Sequence, residues 1–132
     1  MQEKEQYICN QQHRDGNPNK SQWKLSECEE RELFRVSYDS CWFNQHQTWC
    51  FGIISKERKL KILGVSAKNN PPPTDLHFAK FVCDQSLWHG YPFGKASSDL
   101  GQIPREVLAS WKKDNYISNA IRNKIHKGRY PL

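Results

Sequence analysis

The spacing of hydrophobic positions changes several times along the chain, and each change predicts an element. Residues 1–24 carry few apolar side chains and are rich in Gln, Asn and Lys, with a turn signal at Asp15-Gly16-Asn17-Pro18. This pattern predicts a loosely structured arm over 1–24, followed by a single domain over 25–132. Ser26-x-x-Glu29 has capping-box spacing, in which hydroxyl and carboxylate satisfy each other's backbone donors, and predicts a short helix over 27–32. From Leu33 to Asp39 the residues alternate, with Phe34, Val36 and Tyr38 on one side, which reads as a half-buried strand. Residues 48–55 are dense in aromatic and β-branched side chains. Residues 59–66 follow after the polar Lys56-Glu57-Arg58, so the pair predicts an antiparallel hairpin. Residues 76–83 are apolar on both faces, as a central strand requires.

Beyond residue 83 the pattern changes twice more. Trp88-His89-Gly90-Tyr91-Pro92-Phe93-Gly94-Lys95 contains two glycines and a proline, which argue for a loop, yet it holds three aromatic rings. After Pro104 the spacing turns helical, with Val107, Leu108 and Trp111 as a buried stripe. Asp114-Asn115 breaks that helix. Ser118 is placed to cap a second one, with Ile121 and Ile125 one turn apart and Gly128 as its stop. The expected fold is α+β: an antiparallel sheet of about four strands with two short C-terminal helices packed on it. Trp49, Phe51, Ile53, Ile62, Phe78, Phe81, Val82, Leu108, Trp111 and Ile121 are its expected core.

Composition supports a folded chain despite its polarity. Only 36% of the 132 residues are hydrophobic and the mean hydropathy is -0.90, but five Trp, five Tyr and six Phe provide large areas to bury. No run of about 18 apolar residues occurs, so no membrane partner is expected. The polar N-terminus lacks the character of a secretory leader, and a cytoplasmic location is expected. The five cysteines are odd in number and widely spaced, which predicts free thiols. Cys9, His13, Cys41 and Cys50 lack the tight spacing of a zinc motif, so neither metal nor cofactor is expected.

Charge brings in a partner. The chain carries a formal +6, and residues 105–132 hold seven cations (Arg105, Lys112, Lys113, Arg122, Lys124, Lys127 and Arg129) against Glu106 and Asp114. A basic end on a nearly neutral body is the footprint of a phosphate-contacting surface. Aromatic rings beside cations suit single strands, through base stacking and backbone attraction. The leading expectation is a protein that binds RNA or single-stranded nucleic acid through Trp88, Tyr91, Phe93 and Lys95 together with Arg122, Lys124, Lys127 and Arg129. Helix-turn-helix reading of DNA, through Asn119, Arg122 and Asn123, is a weaker fit because the break lacks a turn glycine.

Two further classes stay open. The segment His77 to Lys95 gathers His77, Lys80, Asp84, His89, Tyr91 and Lys95. A metal-independent endoribonuclease of toxin type needs only a general acid, a general base and cations around phosphate, with His89, Tyr91 and Lys95 as the catalytic candidates. The third class is a protein-interaction module, such as an immunity protein or the subunit of an assembly, with the aromatics as protein contacts. No phosphate-loop, dinucleotide-binding, nucleophile-elbow or His-Glu-x-x-His motif is present.

Overall fold

The computed structural model describes residues 6–131. Its centre is a four-stranded sheet in the order β1 (Gln6–Tyr7), β9 (Leu87–Phe93), β8 (Phe78–Asp84) and β3 (Trp49–Gly52). All its pairings are antiparallel except β1 with β9. The α+β class read from the sequence is observed, with β8 in the interior of the sheet.

Both faces of this sheet are covered, because successive strand residues point to opposite sides. On one side Cys50, Ala79, Phe81 and Trp88 pack against Leu33 and Phe34 of α1 (Glu27–Asp39) and against Trp23 of β2 (Gln22–Trp23). On the other, Phe51, Phe78 and Phe93 pack against α2 (Ser97–Leu100), α3 (Arg105–Lys113) and α4 (Asn119–His126). Two small sheets complete the fold. One joins β4 (Ser55–Lys56) to β5 (Lys59–Leu60), and the other runs β2, β6 (Gly64–Val65), β7 (Asp75–Leu76). No helix among the described residues is long and apolar enough to cross a membrane.

Several elements differ from the sequence reading. The capping box forms, with the Glu29 amide donating to Ser26 Oγ at 3.1 Å and the Ser26 amide to Glu29 Oε1 at 2.9 Å. The helix it opens continues through 33–39, where a strand was expected. Glu30, Leu33, Phe34 and Ser37 are the buried positions, a helical stripe that overrides the Phe34-Val36-Tyr38 alternation. Gly52 lets the helix lie close, since a Cβ there would stand 2.5 Å from Ser37 Oγ.

The expected hairpin between 48–55 and 59–66 shrinks to β4 and β5, turned by Glu57 and Arg58 at positive φ. β3 pairs with β8 instead, and Gly64–Val65 leaves for the small sheet. The 88–95 segment, expected as a loop, lies mostly in strand β9. Gln85 and Ser86, at φ 51° and 68°, make a two-residue turn from β8 without any glycine. Pro92 is tolerated because β1 pairs only with Leu87 and Trp88, which leaves the rest of β9 at the sheet edge. Gly90 is required by packing: a Cβ there would overlap the Phe81 ring.

Of the expected 1–24 arm, residues 1–5 lie outside the described residues. Residues 6–24 are tied into the body through β1, β2 and the buried side chains of Cys9, His13 and Trp23. Arg14 clamps this segment to α1, with Nε 3.1 Å and Nη2 2.6 Å from Oε1 of the fully buried Glu30. The Tyr7 hydroxyl donates to Oε2 of the same carboxylate. Within the expected core Phe51, Ile53, Phe78, Phe81, Leu108 and Trp111 are buried, whereas Trp49, Ile62, Val82 and Ile121 are half-buried.

Candidate nucleic-acid interface

The C-terminal helices form as their sequence dictates. Val107, Leu108 and Trp111 bury one face of α3. The chain turns at Asn115, which takes φ 65°, and Ser118 Oγ accepts the Ile121 amide at 3.1 Å to start α4. Gly128 ends it at φ 69°, against Ser97. With Ile125 fully buried, the next faces of the two helices meet across a pocket of about 330 Å³ lined by Arg105, Leu108, Ala109, Arg122, Asn123 and His126. Residues one turn apart supply it from each side: Arg105 and Ala109 from α3, Arg122 and His126 from α4.

This pocket is basic and its donors are uncommitted. The side chains of Arg105, Arg122, Asn123 and His126 make no hydrogen bond or ion pair among the described residues, and no carboxylate lines the pocket. Some cations elsewhere are engaged, such as Arg14 with Glu30, Lys24 with Asp75 at 3.6 Å and Lys61 with Glu29 at 3.5 Å, while Arg58, Lys59 and Lys68 are, among the described residues, as free as those of the pocket. Lys124, Lys127 and Arg129 are exposed on and just beyond α4. Two arginine side chains without partners of their own at one small recess suit phosphate oxygens, which a guanidinium binds through paired N–H donors.

The aromatic candidates are dispersed by the strand they occupy. Trp88 is only 3% exposed and packs against Phe34, Tyr38 and Phe43 with ring centroids 5.5–6.3 Å apart. Phe93, on the opposite face, is 6% exposed and lies between Phe51 and Phe78. Neither ring offers a free face to a base in this fold. Lys95 braces the proline-rich loop, its ammonium donating to the carbonyls of Asn70 and Pro72. Tyr91 is half-buried, and burial pushes its hydroxyl pKa up.

Tyr91 belongs to a second polar group, on the side of the sheet covered by α2, α3 and α4. Its ring stacks on His13 at 5.3 Å and 15° between planes. His13 Nδ1 donates to the Ser21 carbonyl at 2.8 Å, which leaves Nε2 of the neutral ring as an acceptor. Burial pushes the His13 pKa down, and His89 is close enough to contribute to the same shift. His89 shares a strand face with Tyr91, and its Nδ1 is buried without a hydrogen-bond partner among the described residues. Lys80, opposite Tyr91 in the register, is 7% exposed. Its ammonium donates to Gln102 Oε1 at 2.6 Å and sits 3.6 Å above the Trp49 ring. Burial pushes its pKa down, partly offset by Asp99.

The structure thus keeps His89 and Tyr91 together, replaces Lys95 by Lys80, and adds His13. Lys80 carried a sequence signal, as a cation inside an apolar strand. His13 drew notice only as a weak metal-ligand candidate and not for this place, because only the packing of residues 6–24 against β9 brings it there. His126 was also missed, since a lone histidine near a helix end has many ordinary uses. Comparison with protein-family models, with curated proteins and with solved structures finds no match.

Proposed function

We propose that the protein binds RNA or single-stranded nucleic acid by its sugar–phosphate backbone, along the surface of α3 and α4. Arg105 and Arg122 hold phosphate in the pocket, and Lys124, Lys127 and Arg129 extend the track. The observation that carries this reading is the uncommitted basic lining of the pocket between the two helices. A flexible single strand can press one phosphate into a recess, whereas duplex phosphates are fixed on a cylinder. With Trp88 and Phe93 in the core, affinity rests on charge more than on stacking. A protein-interaction module has less support, because Ile8 is the exposed large hydrophobic residue among those described.

The test is the salt dependence of binding to a single-stranded RNA. Each neutralised phosphate contributes a slope of about -0.7 in log affinity against log salt. Changing Arg122, Lys124 and Lys127 together to Gln removes about three such contacts and should flatten the slope by roughly two units. An unchanged slope counts against this surface.

A second reading, the metal-independent endoribonuclease, draws support from the His13–Tyr91 stack beside His89. Two imidazoles and a phenol are groups that exchange protons in phosphodiester cleavage. RNA cleavage in EDTA, lost in both His13→Ala and His89→Ala, would support it; a wild type that leaves RNA intact removes it.

A further inference from the structure

The two arginines that line the pocket between α3 and α4 carry more donor capacity between them than one internal phosphodiester can use. Each guanidinium presents five N–H groups in a planar fork, and Arg105 and Arg122 both line the same recess with His126. An internal phosphodiester offers two free oxygens and one charge. A terminal phosphomonoester offers three oxygens and a charge of about -1.5 to -2 at neutral pH. The remaining lining is suited to what such a phosphate carries. Leu108 and Ala109 supply an apolar floor for a sugar or base, and the Asn123 amide supplies a donor and an acceptor for a base edge. At about 330 Å³ the recess lies at the small end of ligand pockets, room for one nucleotide and not for several.

We infer that this pocket seats the phosphorylated end of a nucleic-acid strand, with a terminal phosphomonoester between Arg105 and Arg122 and its nucleotide laid on Leu108 and Ala109. The inference rests on the nucleic-acid reading above and narrows it. A strand anchored by its end would then follow Lys124, Lys127 and Arg129, all exposed, without needing a platform of stacked rings. The shared chemistry is the phosphomonoester, and it exists at either end of a strand.

One single-stranded RNA, labelled internally, is prepared in three forms: with a 5′-phosphate, with a 3′-phosphate, and with hydroxyls at both ends. Affinity for the wild-type chain is measured by fluorescence anisotropy. One phosphorylated form should bind about tenfold more tightly than the hydroxyl form, the scale of one charge-assisted contact, and which form does so identifies the end. Arg105→Gln and Arg122→Gln should each abolish that preference. Lys112→Gln with Lys113→Gln, on the same helix but outside the pocket, should keep it, and thermal melts of all variants should match the wild type. Equal, salt-dependent binding of the three forms overturns the end-seat and leaves backbone binding standing. Binding of none of them overturns both. A preference that survives in both arginine variants also overturns the seat.

Discussion

Glu30 has no exposed surface, and its carboxylate accepts from Arg14 Nε and Nη2 and from the Tyr7 hydroxyl. Burial and the neighbouring carboxylate push the Tyr7 hydroxyl pKa up, so that it remains a donor. Removing one member of such a group strands the other charge in the interior. Glu30→Ala should therefore cost about 3–5 kcal/mol in urea denaturation, far more than an exposed ion pair such as Lys61–Glu29 would. His13 gives a pH signature of opposite character to a surface histidine. Its folded pKa is lowered, chiefly by burial, so the unfolded chain binds more protons as pH falls. Stability should be full above about pH 6.5, the ordinary histidine value, and should decline as pH drops through that value toward the lower folded one. His77, also lowered by burial, adds to the same window. His13→Gln should reduce the slope of the urea midpoint between neutral pH and pH 5; a slope unchanged in that variant would assign it to other groups.

At the scale of elements, local signals were legible and long-range ones were not. Ser26-x-x-Glu29, Pro104, Ser118 and Gly128 sit where helices begin and end, and each acts through neighbours within a few residues. Three of these signals place α3 and α4, so the basic helices of the candidate site were readable in advance. Over 33–39 the helical spacing of Glu30, Leu33, Phe34 and Ser37 was masked by the alternation of Phe34, Val36 and Tyr38, and the room for that helix against β3 comes from Gly52, a distant residue with no side chain. Strand β9 was hidden for a related reason. Its Gly90 and Pro92 look like strand breakers until the Phe81 ring fills the space above Gly90 and the sheet edge falls beside Pro92. The partners His13 and Lys95 sort themselves by the same packing, which no spacing along the chain encodes. Phe81, fully buried at this contact, gives the test. Phe81→Ala should cost about 3–5 kcal/mol, and a loss under about 1 kcal/mol would contradict the packing of β8 on β9.

Across the whole molecule, charge and aromatic area are segregated. The excess positive charge lies in 105–132, while Trp23, Trp42, Trp88 and Trp111 are all buried. Trp88→Ala should accordingly lower stability by about 3–5 kcal/mol while leaving the RNA affinity of the folded protein unchanged. A ring that contributed by stacking would instead cost about 1–3 kcal/mol of binding, with little change in stability or in the salt slope. The parallel pairing of β1 with β9 has a consequence for how the chain is made. Translation delivers Gln6 and Tyr7 early, but their partners Leu87 and Trp88 follow some eighty residues later. Among the described strands β1 thus waits longest for its partner, and its contacts have the long sequence separation that slows folding. Arg14 and Glu30 are both delivered long before β9, so the ion pair that ties this segment to α1 has its two members on hand before the sheet edge arrives, and gains its strength only once the core closes over Glu30.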